Sequence, residues 1–447
     1  MINYSTKSFL LAICAIAAGA SSAAYGATYT VINYLPQYSQ PGPLVEGAPG
    51  LFYFTAFADT LQPNAMVSVT ILGTTTTLGG FASPPYNLES QPVTAANGLV
   101  YSSVEQTING GSGNLFSVGS TAASEHTYPS TALAPGPLTG NLPDGKLYGL
   151  SYSFSTGSYS LATVDLIGNV TPFYQFAGAD RPGLPIYHAD GNYYGTAYPA
   201  VSGATTYFWR ATPSGSFTQV ANLPFVGGAF IGSFPGAGLL LQATDGNFYG
   251  VQPCSPGCSS GNQHGAVFKL TPSGQFTILH DFGPCETVNS LIQGSDGNLY
   301  GTTQAKSILF SLTTSGVYKA QLGMNGADGL CPCYLTQGSD GIIYGSTSGG
   351  GATGGGVIFA FNAGLPVPKP LPGAFTPVSG AVGSRIRIWG YNLFGASVQF
   401  NGVPAATTSN SGPNYVWVIV PEGATTGAMT VTTPGGAATT RESFTVN

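Results

Sequence analysis

One short phrase returns along this chain, and its spacing constrains the fold more than any other feature. Asp144-Gly-Lys-Leu-Tyr-Gly149, Asp190-Gly-Asn-Tyr-Tyr-Gly195, Asp245-Gly-Asn-Phe-Tyr-Gly250, Asp296-Gly-Asn-Leu-Tyr-Gly301 and Asp340-Gly-Ile-Ile-Tyr-Gly345 are the clear copies. Asn97-Gly-Leu-Val-Tyr101 and Pro49-Gly-Leu-Phe-Tyr53 are worn copies upstream. The steps between them are 48, 47, 46, 55, 51 and 44 residues. Seven units with a period of roughly 50 residues predict an all-β fold, a seven-bladed β-propeller in which each unit supplies one four-stranded sheet.

Each unit reads as strands a to d. In the fifth, Leu239 to Ala243 is a, Asp245-Gly246 turns the chain, and Asn247 to Val251 is b. Asp and Gly supply the backbone angles a tight hairpin turn demands. A longer loop leads to c at Ala266 to Leu270, Thr271-Pro-Ser-Gly274 turns again, and Phe276 to Phe282 is d. The short a–b and c–d turns then share one face of the ring, and the long b–c and d–a loops share the other. The seventh unit has only three strands, Tyr334 to Gln337, Ile342 to Ser346 and Val357 to Phe361. Thr28 to Tyr34 is an orphan strand whose text resembles strand d, so it is predicted to complete that sheet, whose third strand would otherwise be an open edge. The repeated Asp residues are read as turn formers and the repeated Tyr residues as packing between blades.

These units resemble the GloVer tandem repeat of exported bacterial proteins. The match is best at 294–303 (Gly-Ser-Asp-Gly-Asn-Leu-Tyr-Gly-Thr-Thr), 267–274 (Val-Phe-Lys-Leu-Thr-Pro-Ser-Gly) and 279–282 (Leu-His-Asp-Phe). It is clear over 139–361 and weak over 49–138. The resemblance implies an extracellular protein and no particular reaction.

Residues 362–372 are rich in proline, which favours an extended, semi-rigid spacer. Beyond them, short alternating strands (Ser384 to Trp389, Ser397 to Phe400, Tyr415 to Val420, Ala428 to Thr432, Ser443 to Val446) predict a small immunoglobulin-like β-sandwich over 373–447. Pro377-Val-Ser-Gly380, Ile388-Trp-Gly-Tyr-Asn-Leu393, Val398-Gln-Phe-Asn-Gly-Val-Pro404 and Val431-Thr-Thr-Pro-Gly435 resemble an IPT/TIG domain. In exported bacterial proteins the resemblance implies a spacer or interaction module.

Residues 1–26 read as an export signal: Lys7, an apolar run from Phe9 to Ala18, then small residues ending in Ala24-Tyr25-Gly26. The run is about half the ~20 residues of a membrane-spanning helix, and no later segment reads as a transmembrane span. The expectation is a monomer that is secreted or held at the cell surface. Only 6% of residues are charged and the formal net charge is −6. The absence of basic clusters argues against a nucleic-acid partner, while plentiful aromatic residues argue against disorder.

Cys254, Cys258, Cys285, Cys331 and Cys333 remain after signal removal. In an exported chain they are disulfide candidates, with one left over. Their spacings fit the usual zinc patterns poorly. All five are expected on the long-loop face, together with Glu89, Asp180, Arg181, His264, Glu286 and Asp328. Loops on a rigid scaffold commonly carry binding, so Asp180, Arg181, His264, Glu286 and Asp328 are the candidate binding residues. His188 and His280 read as structural. No residue is assigned as catalytic, no metal site is predicted and no cofactor is implied. Two functions are weighed. The first is a non-enzymatic binding or architectural protein that presents a loop face to an extracellular glycan, peptide or cell-envelope component. The second is an extracellular hydrolase or lyase acting on a polymer at the channel. Converging acidic or His groups with perturbed pKa values would favour the enzyme, and aromatic and polar groups without them the binder.

Overall fold

The computed structural model describes residues 27–447 apart from 37–39, 58–64, 81–86, 89–91, 96, 107–111, 120–122, 129–132, 143, 154, 179, 189, 200–203, 227–239, 253–264, 284–285, 408–411 and 413. The described residues are all-β, without a helix, so none of their helices is long and apolar enough to cross a membrane.

Between 28 and 362 they form seven separate antiparallel sheets of four or five strands. The fifth shows the plan. Leu240–Gln242, Phe248–Gln252, Ala266–Leu270 and Phe276–Asp281 lie side by side in chain order. The first strands of consecutive sheets pack on one another, from Val45–Ala48 through Val93–Thr94 and onward to Leu330–Gln337. The apolar core lies between neighbouring sheets. Tyr249, Val251 and Val267 of the fifth meet Leu299, Phe310 and Leu312 of the sixth, and Phe52 and Phe54 of the first meet Tyr344 and Ile358 of the seventh.

Thr28–Tyr34 runs antiparallel to Val357–Asn362 in the seventh sheet, with Tyr29 opposite Phe361 and Tyr34 opposite Val357. Its pairing covers what would be a bare edge of backbone N–H and C=O groups. Tyr29 also packs on Phe359, ring centroids 5.4 Å apart, and donates its hydroxyl to the Asp328 carbonyl at 2.5 Å.

The repeated phrase has a common local chemistry in the last four sheets. Asp190, Asp245, Asp296 and Asp340 each accept a backbone N–H two residues on, closing the turn, at 3.0, 3.0, 3.1 and 3.0 Å. Each also accepts the hydroxyl of the Tyr four residues on (Tyr194, Tyr249, Tyr300, Tyr344) at 2.8, 2.8, 3.0 and 2.7 Å. Asp and Tyr, read separately in the sequence, are thus one hydrogen-bonded device. The Gly after that Tyr has a packing reason. Gly195, Gly250, Gly301 and Gly345 stand directly opposite Trp209, Phe268, Phe310 and Phe359 in the ladder. A Cβ on any of these glycines would lie 2.3 or 2.4 Å from a ring atom of its partner. At the second short turn Thr212, Thr271 and Thr313 accept the N–H of the residue four on at 2.9–3.0 Å.

Sheet is joined to sheet at the end of the first strand. The Gln293 side chain of the sixth sheet accepts the Thr244 N–H of the fifth, and Gln337 of the seventh accepts the Ser295 N–H of the sixth, at 2.8 and 2.9 Å. Where the seventh sheet meets the first, Glu46 takes this place and accepts the Ser339 N–H and hydroxyl at 2.7 and 3.0 Å.

Residues 371–446 form two further sheets with a shared core that includes Ile386, Ile388, Val398, Val416, Met429 and Phe444. The proline-rich stretch before them is pinned to the short turns. Ser295 donates its hydroxyl to the Pro366 carbonyl, and a Cβ on Gly341 would lie 2.8 Å from the Leu365 carbonyl oxygen. The two-sheet unit itself rests on the turns of the second and third sheets. Asn414 donates to the Thr94 carbonyl at 2.6 Å, and Leu166 packs on the Trp389–Tyr415 pair.

Candidate functional site

The sequence-derived site residues do not gather into one cluster. Glu89, His264, Cys254, Cys258 and Cys285 lie outside the described residues. Cys331 and Cys333 belong to the innermost strand Leu330–Gln337 and not to a loop. The strand begins earlier than its sequence suggests because a register break between Pro332 and Tyr334 absorbs the irregular Cys-Pro-Cys text. Both thiols are free in this structure, and the other disulfide candidates lie outside the described residues. Burial pushes the Cys333 thiol up to about 11, which keeps it protonated and unreactive at neutral pH. Glu286 is 1% exposed. Its Oε1 accepts the Lys306 N–H at 3.2 Å and Lys306 Nζ stands 3.5 Å from Oε2, so it braces a loop from within and offers no free charge. Asp328 holds its loop to Asn325 through its backbone N–H and to the amino-terminal strand through its carbonyl. His280 stacks on Tyr318 at 4.3 Å, and His188 lies against Tyr194 and Phe248. Among the described residues no three His, Cys, Asp or Glu groups come together as metal ligands would.

Asp180 is different. It lies in the connection from the third to the fourth sheet and borders a groove of about 560 Å³ with Tyr174, Tyr207, Phe217, Gln219 and Asn222. Three elements build this groove. Val170–Gln175, the outer strand of the third sheet, contributes Tyr174. Thr205–Ala211 and Phe217–Val226 of the fourth contribute the others. Tyr174 and Phe217 stack face to face, centroids 4.1 Å apart and planes within 3°. Phe176 meets both rings edge-on, at 5.2 and 5.8 Å, and Phe217 is backed by Trp209 at 5.8 Å. Rings held on several sides present a fixed surface.

The polar side of the groove is equally ordered. Tyr207 donates its hydroxyl to Asp180 Oδ2 at 2.8 Å. Burial and then the Asp180 carboxylate push the Tyr207 hydroxyl well above its ordinary value, and the same two causes raise Tyr174. Both phenols therefore stay protonated, with the Tyr207 proton committed to Asp180. Gln219 donates to Asn222 Oδ1 at 2.7 Å, which orients the two exposed amides. Arg181, expected beside Asp180, turns to the third sheet and lies 6.0 Å from the centre of the Tyr159 ring.

Tyr174, Tyr207 and Phe217 were missed by sequence reading because each lies in a strand of the repeat, where an aromatic residue ordinarily means packing. Phe217 and Tyr318 open equivalent strands and each is stacked by a ring of the preceding sheet, Tyr174 or His280, so the Tyr207–Asp180 bond and not the stack distinguishes the third-to-fourth junction.

No family model matches this sequence, and no curated protein matches it. Solved structures resemble the fold. A streptogramin B lyase aligns over 76% of this chain and 98% of its own, with 15% identity and a TM-score of 0.51. A selenomethionine-substituted virginiamycin B lyase from Staphylococcus aureus aligns over 75% of this chain and 99% of its own, with 15% identity and a TM-score of 0.50. At that identity the likeness bears on architecture alone: the chain has an all-β, β-propeller-like fold.

Proposed function

We propose that this chain is an exported, non-enzymatic binding protein that holds an extracellular partner at the rim of its ring. It is read as a seven-bladed propeller of GloVer-type repeats, zipped by Thr28–Tyr34, with a signal at 1–26 and an immunoglobulin-like IPT/TIG unit at 373–447. The single observation that carries the binding reading is the Tyr174 groove. It joins a rigid aromatic surface to oriented hydroxyl, amide and carboxylate groups around one acid, Asp180. Ligand sites are commonly built this way, with a few placed polar groups beside aromatic walls. Acid–base catalysis of polymer cleavage generally uses two groups with pKa values set apart.

The test is retention of the mature protein on immobilised glycans, peptides and cell-envelope fractions. Retention of one of these, without its breakdown and weakened about tenfold by Asp180→Ala, is the expected result. Turnover of a polymer in place of stable binding would install the hydrolase or lyase reading instead. Export is checked separately by the mass of the secreted form, expected to begin at Ala27.

A further inference from the structure

The groove has a neighbour, and the two share one residue. A second hollow of about 390 Å³ lies along the third sheet, lined by Ser153, Thr156, Ser158, Ser160, Gln175 and Tyr174. Tyr174 thus lines both hollows, which are shallow and open to solvent. Two adjoining hollows on one open rim suit a chain that lies across both better than a compact ligand that fills one.

Their chemistry narrows the chain's class. The second hollow sets the hydroxyls of Ser153, Thr156, Ser158 and Ser160 beside apolar Leu133, Pro172 and Phe173, and Gln175 donates to Ser158 Oγ at 2.8 Å. The first adds the Gln219–Asn222 amide pair, Tyr207 and Asp180. Asp180 carries the one charge among the lining residues of either hollow. An anionic chain would meet a carboxylate there and no Lys or Arg to balance it. A peptide adding itself to the outer strand would meet Pro172, which has no N–H for a ladder, at a register break between Leu161 and Ala162. Hydroxyl-rich ligands supply both donors and acceptors for such walls, and their C–H groups pack on the ring surface that the Tyr174–Phe217 stack leaves uncovered.

Resting on the binding reading above, we infer that the paired hollows are adjoining subsites for an uncharged, hydroxyl-rich chain, a segment of neutral polysaccharide, with Tyr174 between consecutive units. Affinity electrophoresis of the full mature chain tests this, with gels containing a soluble glucan, mannan or xylan, or alginate as the anionic comparator. A fluorescent mixed-peptide pool serves as the other comparator. At least one neutral polysaccharide should retard the protein, Tyr174→Ala should weaken that retention about tenfold or more, and Asn222→Ala about threefold. Asn222 is exposed, so its variant keeps the test valid if loss of Tyr174 disturbs the fold. Retention by alginate or capture of peptides, abolished by Asn222→Ala, would overturn the neutral-polysaccharide class while leaving the groove as the binding site. Retention by a neutral polysaccharide that neither substitution changes would overturn the site. No retention by anything would remove both this inference and the reading beneath it.

Discussion

The first sheet and the last four fill the same space from opposite sides. In the fourth to seventh sheets a Gly follows the repeated Tyr, and an aromatic ring from the next strand lies across it. In the first sheet the residue after Tyr53 is Phe54, and the residue opposite it is Val67. The ring has changed strands, and Phe54 is still 1% exposed. The second sheet is intermediate, with Ser102 opposite Phe116. The third sheet has no ring at this place: Gly149 stands opposite Ala162, and the strand carrying Pro137 and Leu138 closes on the glycine instead. In the other six sheets what recurs is a volume, one ring per strand pair, and not the residue type that supplies it. The linking groups drift in the same way. Asp–Tyr pairs hold the later turns, Asn97 donates to Tyr101 at 2.8 Å in the second sheet, and Pro49 stands at the place of the Asp in the first.

The strongest test of this equivalence is to move the ring. Phe54→Ala should lose about 3–5 kcal/mol in urea unfolding, as buried Phe truncations do. Phe54→Gly combined with Val67→Phe should recover at least half of what Phe54→Gly alone loses, and no recovery would break the comparison. Next in size, Gly301→Ala puts a Cβ 2.3 Å from Phe310 and should destabilise by about 1–3 kcal/mol through overpacking. A thermal melt unchanged by it would show that the ring moves aside freely.

Smaller effects separate the linking groups. Tyr249→Phe should lose about 1 kcal/mol, while Tyr53→Phe, whose unit has Pro49 at the Asp position, should lose less than about half of that. Burial works against ionisation of Asp245, but bonds from Asn247, Tyr249 and Lys269 outweigh it and hold its carboxyl at about 2. A depressed folded pKa stabilises above the ordinary value of 3.8 and loses that contribution as pH falls towards 2, so Tyr249→Phe should flatten the acid limb of a melting-temperature profile. The smallest expected effect has the opposite sign. Burial raises the Glu46 carboxyl above its ordinary 4.5, against the bonds from Gly50 and Ser339 and with help from nearby Asp340. A raised folded pKa favours the fold below 4.5 and loses that contribution as pH rises. Glu46→Gln keeps an acceptor for the Ser339 N–H, as Gln293 and Gln337 do for their neighbours, but turns its amide towards the Gly50 N–H, and it should remove this slope. A slope that survives the substitution would mean that Glu46 does not set it.

Much of this architecture was legible because turns and strands are written locally. Ala266–Leu270 and Ser397–Phe400 have the bounds their alternation predicts. Leu330–Gln337 was read too short, since a Cys-Pro-Cys segment looks like a loop until a bulge accommodates it. The groove was half legible. Asp180 stood out as a rare charge, but its partners Tyr207 and Tyr174 come from strands whose meeting depends on how one sheet stacks on the next. Arg181, adjacent in sequence, points elsewhere for the same reason. The docking of Leu166 on Trp389 and Tyr415 had no sequence signal, because an exposed apolar residue at a turn is ordinary.

The position of Thr28–Tyr34 has a consequence for how this polypeptide is made. Its seat beside Val357–Asn362 does not exist until almost the whole ring has been synthesised. The earliest strand to emerge is thus the last to be placed. Fragments ending before residue 357 are expected to leave it without a berth, whereas a stop codon just after residue 363 would spare that berth entirely.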